Sequence, residues 1–301
     1  MPSPHRIGLI SLDTSHVSAF SKLLNDPTHE HHVPGVRVVA GFPGGSRDFP
    51  LSIDRVAGFT EELRRDRGVE IVESPEAVAE KSDLVFLMSC DGRVHRSLFE
   101  RIARFDKPVF IDKPLATTSA DAKAILDLAK SRNLPLMSCS SLRYAQGLSE
   151  ALANGRADIL GCDVFGPLNE ESRQTGFFWY GVHTVEMMIA SMGVGCVQVR
   201  CLRMPDNDQL IAVWNDGRVA SIRGLRNAHG KFGITLHRKE GPQIIDASAG
   251  RPYYAGLLRA ILASLPNRQT LIPQDEMLHV VKVIEAINVS RSRNGEPVAV
   301  A

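Results

Sequence analysis

The chain has 301 residues, 44% of them hydrophobic and 23% charged, a length beyond one hydrophobic core and a balance that predicts two globular domains. Lys and Arg number 35 against 34 Asp and Glu, with the signs interspersed, which excludes a single-sign field for nucleic acid or an anionic membrane and predicts a small-molecule partner. No apolar run is long enough to span a bilayer, residues 1–6 carry no apolar leader, and the five cysteines include no CxxC pair; a cytoplasmic protein with free thiols is expected.

Residues 6–10 form a short apolar run, closed by Ser11 to Ser15 and followed by a helical pattern through Val17, Phe20, Leu23 and Leu24. A β-branched run at 36–40 ends in Gly-Phe-Pro-Gly-Gly-Ser46-Arg47, and a weaker one at 69–72 precedes a helix begun by Ser74 and Pro75. Residues 83–88 read as a buried strand, 95–105 as a helix and 108–111 as a further strand. A helix at 119–132, with Ala122, Ile125, Leu126 and Ala129 on one face, leads to a strand at 134–138. This succession predicts an α/β Rossmann-type domain, a doubly wound parallel sheet, over residues 1–138. Further on, apolar runs at 209–214, 219–222 and 233–237 are separated by turn residues such as Asn215-Asp-Gly217, which predicts an antiparallel meander. Helical patterns at 253–265 and 275–291 complete an α+β domain over 139–301 with a mainly antiparallel sheet.

Asp112-Lys113-Pro114 directly follows the strand at 108–111, so its amine stands at the carboxyl end of a parallel strand, where open α/β sheets place ligands. Gly181-Val-His183-Thr-Val-Glu186 sets an imidazole and a carboxylate three residues apart, on one face of a helix. With Ser140-Ser-Leu-Arg143-Tyr144, these segments resemble the Gfo/Idh/MocA oxidoreductase family over nearly the whole chain and in the family's order. Asp replaces Glu in the family's Glu-Lys-Pro, and Glu replaces Asp in its Gly-x-His-x-x-Asp.

The resemblance implies a pyridine-nucleotide dehydrogenase acting on a hydroxyl of a sugar, polyol or related compound. Lys113 would polarise the reacting oxygen and His183 would act as acid and base, because a carbon that releases hydride needs its hydroxyl proton removed near neutral pH. Arg143, Tyr144 and Glu186 are then substrate residues, with Trp179 and Tyr180 as aromatic walls. Each has a plainer structural reading: a turn lysine, a helix-start histidine, a surface ion pair, a packed aromatic core. Trp179 stands where many family members carry an Asp four residues before the histidine, which removes the expected carboxylate partner of the imidazole.

The family's GxGxxG is absent, its three glycine positions being Ser11, Asp13 and His16. A carboxylate at Asp13 would repel a pyrophosphate by about 1 to 4 kcal/mol at contact. Asp13-Thr14-Ser15 also reads as an N-cap in which Asp13 takes the amides that would hold phosphate. The expected cofactor wall comprises Ser11, Asp13, Thr14, Ser15 and His16, Ser46 and Arg47 after the second strand, Ser89, Cys90 and His95 after the fourth, and Asp112. Ser46 and Arg47 replace the usual ribose-binding acid and suit a 2′-phosphate, which favours NADP over NAD.

The competing reading is a non-redox enzyme of lyase or epimerase type, or a cofactor-free binding relative that kept the cleft without the pyrophosphate loop. No metal site is expected. His29-Glu-His-His32 falls in a loop, and a mixed set from Asp13 and His16 with His183 or Glu186 is a weaker alternative. The resemblance further implies a homo-oligomer associating through the exposed face of the second-domain sheet.

Overall fold

The computed structural model describes residues 4–227 and 230–301, so the reading at residues 1–6 lies in part outside the described residues. The chain forms two compact units. Met1–Ala116, Ala120–Cys139 and Tyr254–Pro273 make up the first, and Thr117–Ser119, Ser140–Tyr253 and Gln274–Ala301 the second.

Strand and helix alternate through the first unit as β1 His5–Ile10, α1 Ser15–Asn25, β2 Val36–Phe42, α2 Pro50–Arg67, β3 Glu70–Ile71, α3 Pro75–Lys81, β4 Leu84–Leu87, α4 His95–Ile102, β5 Val109–Asp112, α5 Ser119–Ser131 and β6 Leu136–Cys139. Their strands form one parallel sheet in the order β3-β2-β1-β4-β5-β6. The strand order reverses between β1 and β4, which makes the carboxyl ends of that pair the ligand-binding position of such sheets. Every residue of β4, β5 and β6 is buried, and this two-sided burial is why they read as unbroken apolar runs. Phe86 and Phe110 on neighbouring strands meet edge to face at 5.4 Å, and Phe20 from α1 closes on Phe86 at 6.4 Å. Each buried ring contributes about 1.5–3 kcal/mol.

Two helices depart from the sequence pattern. α2, started by Pro50 and ended by Gly68 in the left-handed conformation, fully buries only Ser52 and Leu63, so it carries almost no apolar period to read. The helix expected over 95–105 stops at Ile102 and tightens into a 3₁₀ turn at Ala103–Phe105.

The second unit contains α6 Gln146–Leu152, β7 Ile159–Pro167, α7 Gly181–Met192, β8 Cys196–Arg203, β9 Asn207–Trp214, β10 Val219–Leu225, β11 Gly233–Arg238 and β12 Gly241–Asp246. After α8, Tyr253–Ser264, come α9 Gln274–Ser292 and β13 Val298–Ala299. Its sheet has the order β12-β11-β7-β10-β9-β8-β13. The β9–β10 hairpin turns at Asn215-Asp-Gly217 as expected. The continuous meander does not form, because β7 lies between β10 and β11, parallel to the first and antiparallel to the second. Cys162 and Val164 on β7 are buried in that position, a long-range placement that turn chemistry does not signal. Inward residues of β9 and β10, such as Leu210, Trp214 and Ile222, are fully buried, whereas Ile211 and Val219 face outward.

Residues 254–273, expected in the second domain, pack with the first unit instead. The Tyr254 ring meets His16 at 5.0 Å and Phe20 at 5.5 Å, and Arg268 donates to Asp106 Oδ1 at 3.0 Å and the Asn133 carbonyl at 2.9 Å. These partners are distant in sequence, so no local pattern announces the return.

Candidate active site

In the first unit the chain leaves β1 at Ser11 with φ +69°, in the left-handed region that normally favours glycine. Ser11 therefore holds a left-handed turn without a glycine. Its amide bonds the Phe42 carbonyl at 2.9 Å, and Gly44 approaches so closely that an added Cβ would lie 2.6 Å from Ser11 Oγ.

Asp13 is fully buried. It does not cap α1: Thr14 does, accepting from the His16 amide at 3.4 Å. The Asp13 carboxylate turns instead onto three donors, Ser52 Oγ at 2.6 Å, Ser89 Oγ at 3.3 Å and the Cys90 amide at 2.9 Å. It thus ties the loop after β1 to α2 and to the end of β4. Ser46 joins this network through its amide, which donates to Ser52 Oγ at 2.9 Å, while Arg47 is exposed. Burial, followed by the charge of Asp13, pushes the Cys90 thiol up to about 12, so it remains protonated and unreactive near neutral pH. A brace the motifs did not signal runs from Arg93 to both Asp91 and Asp48, joining the loops after β4 and β2.

His16 replaces the third glycine. Its Nδ1 lies 2.6 Å from Asp112 Oδ2, and Asp112 Oδ1 accepts from the Lys113 amide at 2.9 Å. Asp112 is 2% exposed. Burial alone would raise its carboxyl, yet His16 and Lys113 outweigh that penalty and hold it below the ordinary carboxylate range. Lys113 is 9% exposed and forms a cis peptide with Pro114. Both nitrogens of buried His95 face backbone carbonyls, Nδ1 that of Pro114 at 2.9 Å and Nε2 that of Ser89 at 2.9 Å. This histidine therefore locks the loops after β4 and β5 together.

In the second unit His183 stands in the first turn of α7, half-buried, its ring meeting Tyr180 at 5.8 Å and Phe232 at 5.5 Å, edge to face in each case. Gly181 is required here, since a Cβ would sit 2.4 Å from the Phe177 ring. The partner of the imidazole is Ser140, whose Oγ shares a 2.6 Å hydrogen bond with Nδ1 and accepts from the Leu142 amide at 3.1 Å. The only signal for Ser140 in the sequence was its place at the end of β6.

Arg143 Nε donates to Glu186 Oε1 at 2.6 Å, and its Nη2 lies 2.6 Å from Glu276 Oε1 on α9. Arg156 also pairs with Glu276, at 3.2 Å. Burial pushes the Glu186 carboxyl above its usual range despite the pull of Arg143. The charges of Arg143 and Glu186 thus meet inside a buried cluster that fastens the turn at 141–144 to α7 and α9. Of the aromatic run, Phe177 and Phe178 are buried, whereas Trp179, Tyr180 and Tyr144 are half-buried.

Among the described residues no three His, Cys, Asp or Glu side chains form a group able to hold a metal ion. His29 Nδ1 accepts from the His31 amide at 3.0 Å, and His32 Nδ1 lies 2.9 Å from the Leu23 carbonyl, so this loop is organised by its own backbone. No described helix is long and apolar enough to cross a membrane.

Residues 53–139 match the model of the Gfo/Idh/MocA family, described as an oxidoreductase family with an NAD-binding Rossmann fold. Over this segment the chain is similar to the Gfo/Idh/MocA oxidoreductases. The matched segment begins beyond the rebuilt loop and ends with β6, so it contains Asp112-Lys113-Pro114 and excludes Ser11, Asp13 and His16. No curated protein sequence matches the chain.

Solved dehydrogenase structures agree in fold along the full length. Myo-inositol 2-dehydrogenase from Lactobacillus plantarum is 15% identical with a TM-score of 0.79, over 99% of this chain and 100% of that one. Myo-inositol dehydrogenase from Lactobacillus casei, solved with NAD(H) and myo-inositol, is 15% identical with a TM-score of 0.77, over 99% and 97%. UDP-N-acetylglucosamine 3-dehydrogenase from Acidithiobacillus ferrooxidans is 14% identical with a TM-score of 0.74, over 97% and 99%.

Proposed function

We propose that the protein is an NAD(P)-dependent oxidoreductase that acts on a hydroxyl group of a sugar, polyol or related small molecule. The observation that carries this reading is Lys113, held at the carboxyl end of β5 beside a buried, ionised Asp112 within the segment matched to the family. The first unit fits a dinucleotide on two counts: Ser11 retains the left-handed turn, and the Asp13 charge is taken up by three internal donors. Ser11, Thr14, Ser15 and His16 would hold it after β1, Ser46 and Arg47 after β2, and Ser89 and Cys90 after β4. Arg47 and Ser46 favour NADP. A bound nicotinamide supplies the hydride acceptor or donor.

The chain's own residues do the rest. Lys113 places a cation on the substrate oxygen and stabilises the charge that develops there. His183 accepts the hydroxyl proton in oxidation and returns it in reduction, with Ser140 fixing the ring through Nδ1. Trp179, Tyr180 and Tyr144 offer partly exposed aromatic surface to a sugar or polyol face. Titration with NADPH and NADH, followed by nicotinamide fluorescence, tests the cofactor, and a panel of sugars and polyols with NADP and NAD tests the substrate class. No saturable change with either nucleotide would remove this reading.

One observation favours a second reading, a non-redox or cofactor-free relative: a buried carboxylate stands at the second glycine position of the loop. A dinucleotide retained through purification would exclude it. We also propose a cytoplasmic homo-oligomer associating through the outer sheet face of the second unit, where Leu160, Phe165, Leu202, Ile211, Val219 and Ile244 are exposed. Light scattering on the purified protein, with Ile211→Lys as the disrupting variant, tests the association.

A further inference from the structure

The loop after β1 lacks the devices that usually hold a phosphate there. Two first-turn amides of α1 are taken, that of His16 by Thr14 Oγ1 at 3.4 Å and that of Val17 by the Thr14 carbonyl at 3.2 Å. A side chain beside them can take their place. His16 is more than nine-tenths buried, and its ring is fixed on three sides, by Phe20 stacked at 5.7 Å, by the Tyr254 edge at 5.0 Å and by Asp112 at 2.6 Å. Its Nε2 has no hydrogen-bond partner among the described residues and is not sealed from solvent.

We infer that His16, oriented by Asp112, is the group that holds a ligand's pyrophosphate at the end of β1, and that it does so only when protonated. The inference rests on the dinucleotide reading above. The sign follows from the tautomer. An ionised Asp112 accepts, so Nδ1 carries the ring's first proton, and the neutral ring turns a lone pair toward the ligand from Nε2. Protonation converts Nε2 into a charged donor, and phosphate oxygens accept strongly from such groups. Of the charged groups, Asp112 from β5 bonds the ring, Lys113 follows Asp112 in the chain, and Asp13 lies on the loop that precedes His16. Asp13 faces Ser52, Ser89 and Cys90. Tyr254 is the titratable group from α8. With His16 protonated, the set of His16, Asp112 and Lys113 carries one net positive charge, and with it neutral, none.

The test is the dissociation constant of NADH between pH 8.5 and pH 6, with ADP-ribose as a second probe, because the pyrophosphate keeps its charge throughout that range. Binding to the wild-type protein is expected to tighten about tenfold as pH falls. His16→Gln should bind at the wild-type high-pH level with no slope, and Asp112→Asn should flatten the slope as well. On addition of ADP-ribose, the His16 imidazole ¹⁵N resonances of the wild-type protein should move toward the protonated form, a readout that needs no variant to fold.

A pH-independent affinity, or a slope retained in His16→Gln, would overturn the inference and leave the oxidoreductase reading standing. A His16-dependent slope for ADP-ribose, with NADH and NADPH failing at every pH, would uphold the inference and remove the redox reading. Failure of every probe would overturn both.

Discussion

The carboxyl ends of β1 and β5 lie in one sheet with only β4 between them, yet they present opposite cases. The β5 end carries the family's Lys-Pro with an acid before it, and the β1 end has none of the family's glycines. The difference follows from what each end must supply. A cation at the end of β5 has no backbone substitute, so the proposed role there rests on the side chain of Lys113 itself. An anion site can be assembled from amides or from side chains, and a left-handed turn can be held by serine when its neighbours enforce it, as Gly44 and the Phe42 carbonyl do at Ser11.

That contrast breaks if Lys113 is dispensable. Lys113→Ala and His183→Ala are expected to lower turnover about 10²- to 10⁴-fold while circular dichroism shows the fold intact; near wild-type rates in either variant would cancel the role assigned to that residue. Next in size is Arg143→Ala, which leaves Glu186 and Glu276 buried without their central cation. It should cost about 3–5 kcal/mol in urea unfolding, whereas a mere surface pair would cost under about 1 kcal/mol.

Asp13→Gly restores a family glycine by letter and sharpens the comparison. Ser52, Ser89 and the Cys90 amide lose their acceptor, so a loss of about 2–3 kcal/mol is expected. A gain in stability together with tighter NADH binding would show that the carboxylate is only an obstacle. For Asp112 the folded carboxyl lies below its unfolded value. Its stabilisation is therefore complete above about pH 4 and lost as pH falls through the folded value, so the stability gap between wild type and Asp112→Asn should narrow between pH 5 and pH 3. Ser11→Gly is the smallest change, a gain of about 1 kcal/mol from relief of the left-handed backbone; a loss would mean that the Ser11 hydroxyl matters more than its conformation.

The elements that carry Lys113 and His183 were legible in the sequence because their signals are local. A strand buried on both faces writes an apolar run, and Lys113 and His183 sit in short motifs next to such elements. The parts that were not legible are long-range. Ser140 pairs with His183 across 43 positions, Asp13 bonds Ser52 and Cys90 rather than capping its own helix, and Glu276 completes the cluster around Arg143 from α9.

The amino-acid order by itself determined the parallel α/β succession, the second sheet's hairpin at 215–217 and the positions of the amine and the imidazole, since each depends on side-chain periodicity or turn chemistry within a few residues. Only the tertiary structure decided that α2 forms with almost no buried apolar face, that β7 separates β10 from β11, that residues 254–273 return to the first unit, and that two rebuilt glycine positions point to Ser52 and Asp112. Those outcomes depend on which distant donors and apolar surfaces meet on burial, and the free energy of such meetings is not written in any local stretch of the chain.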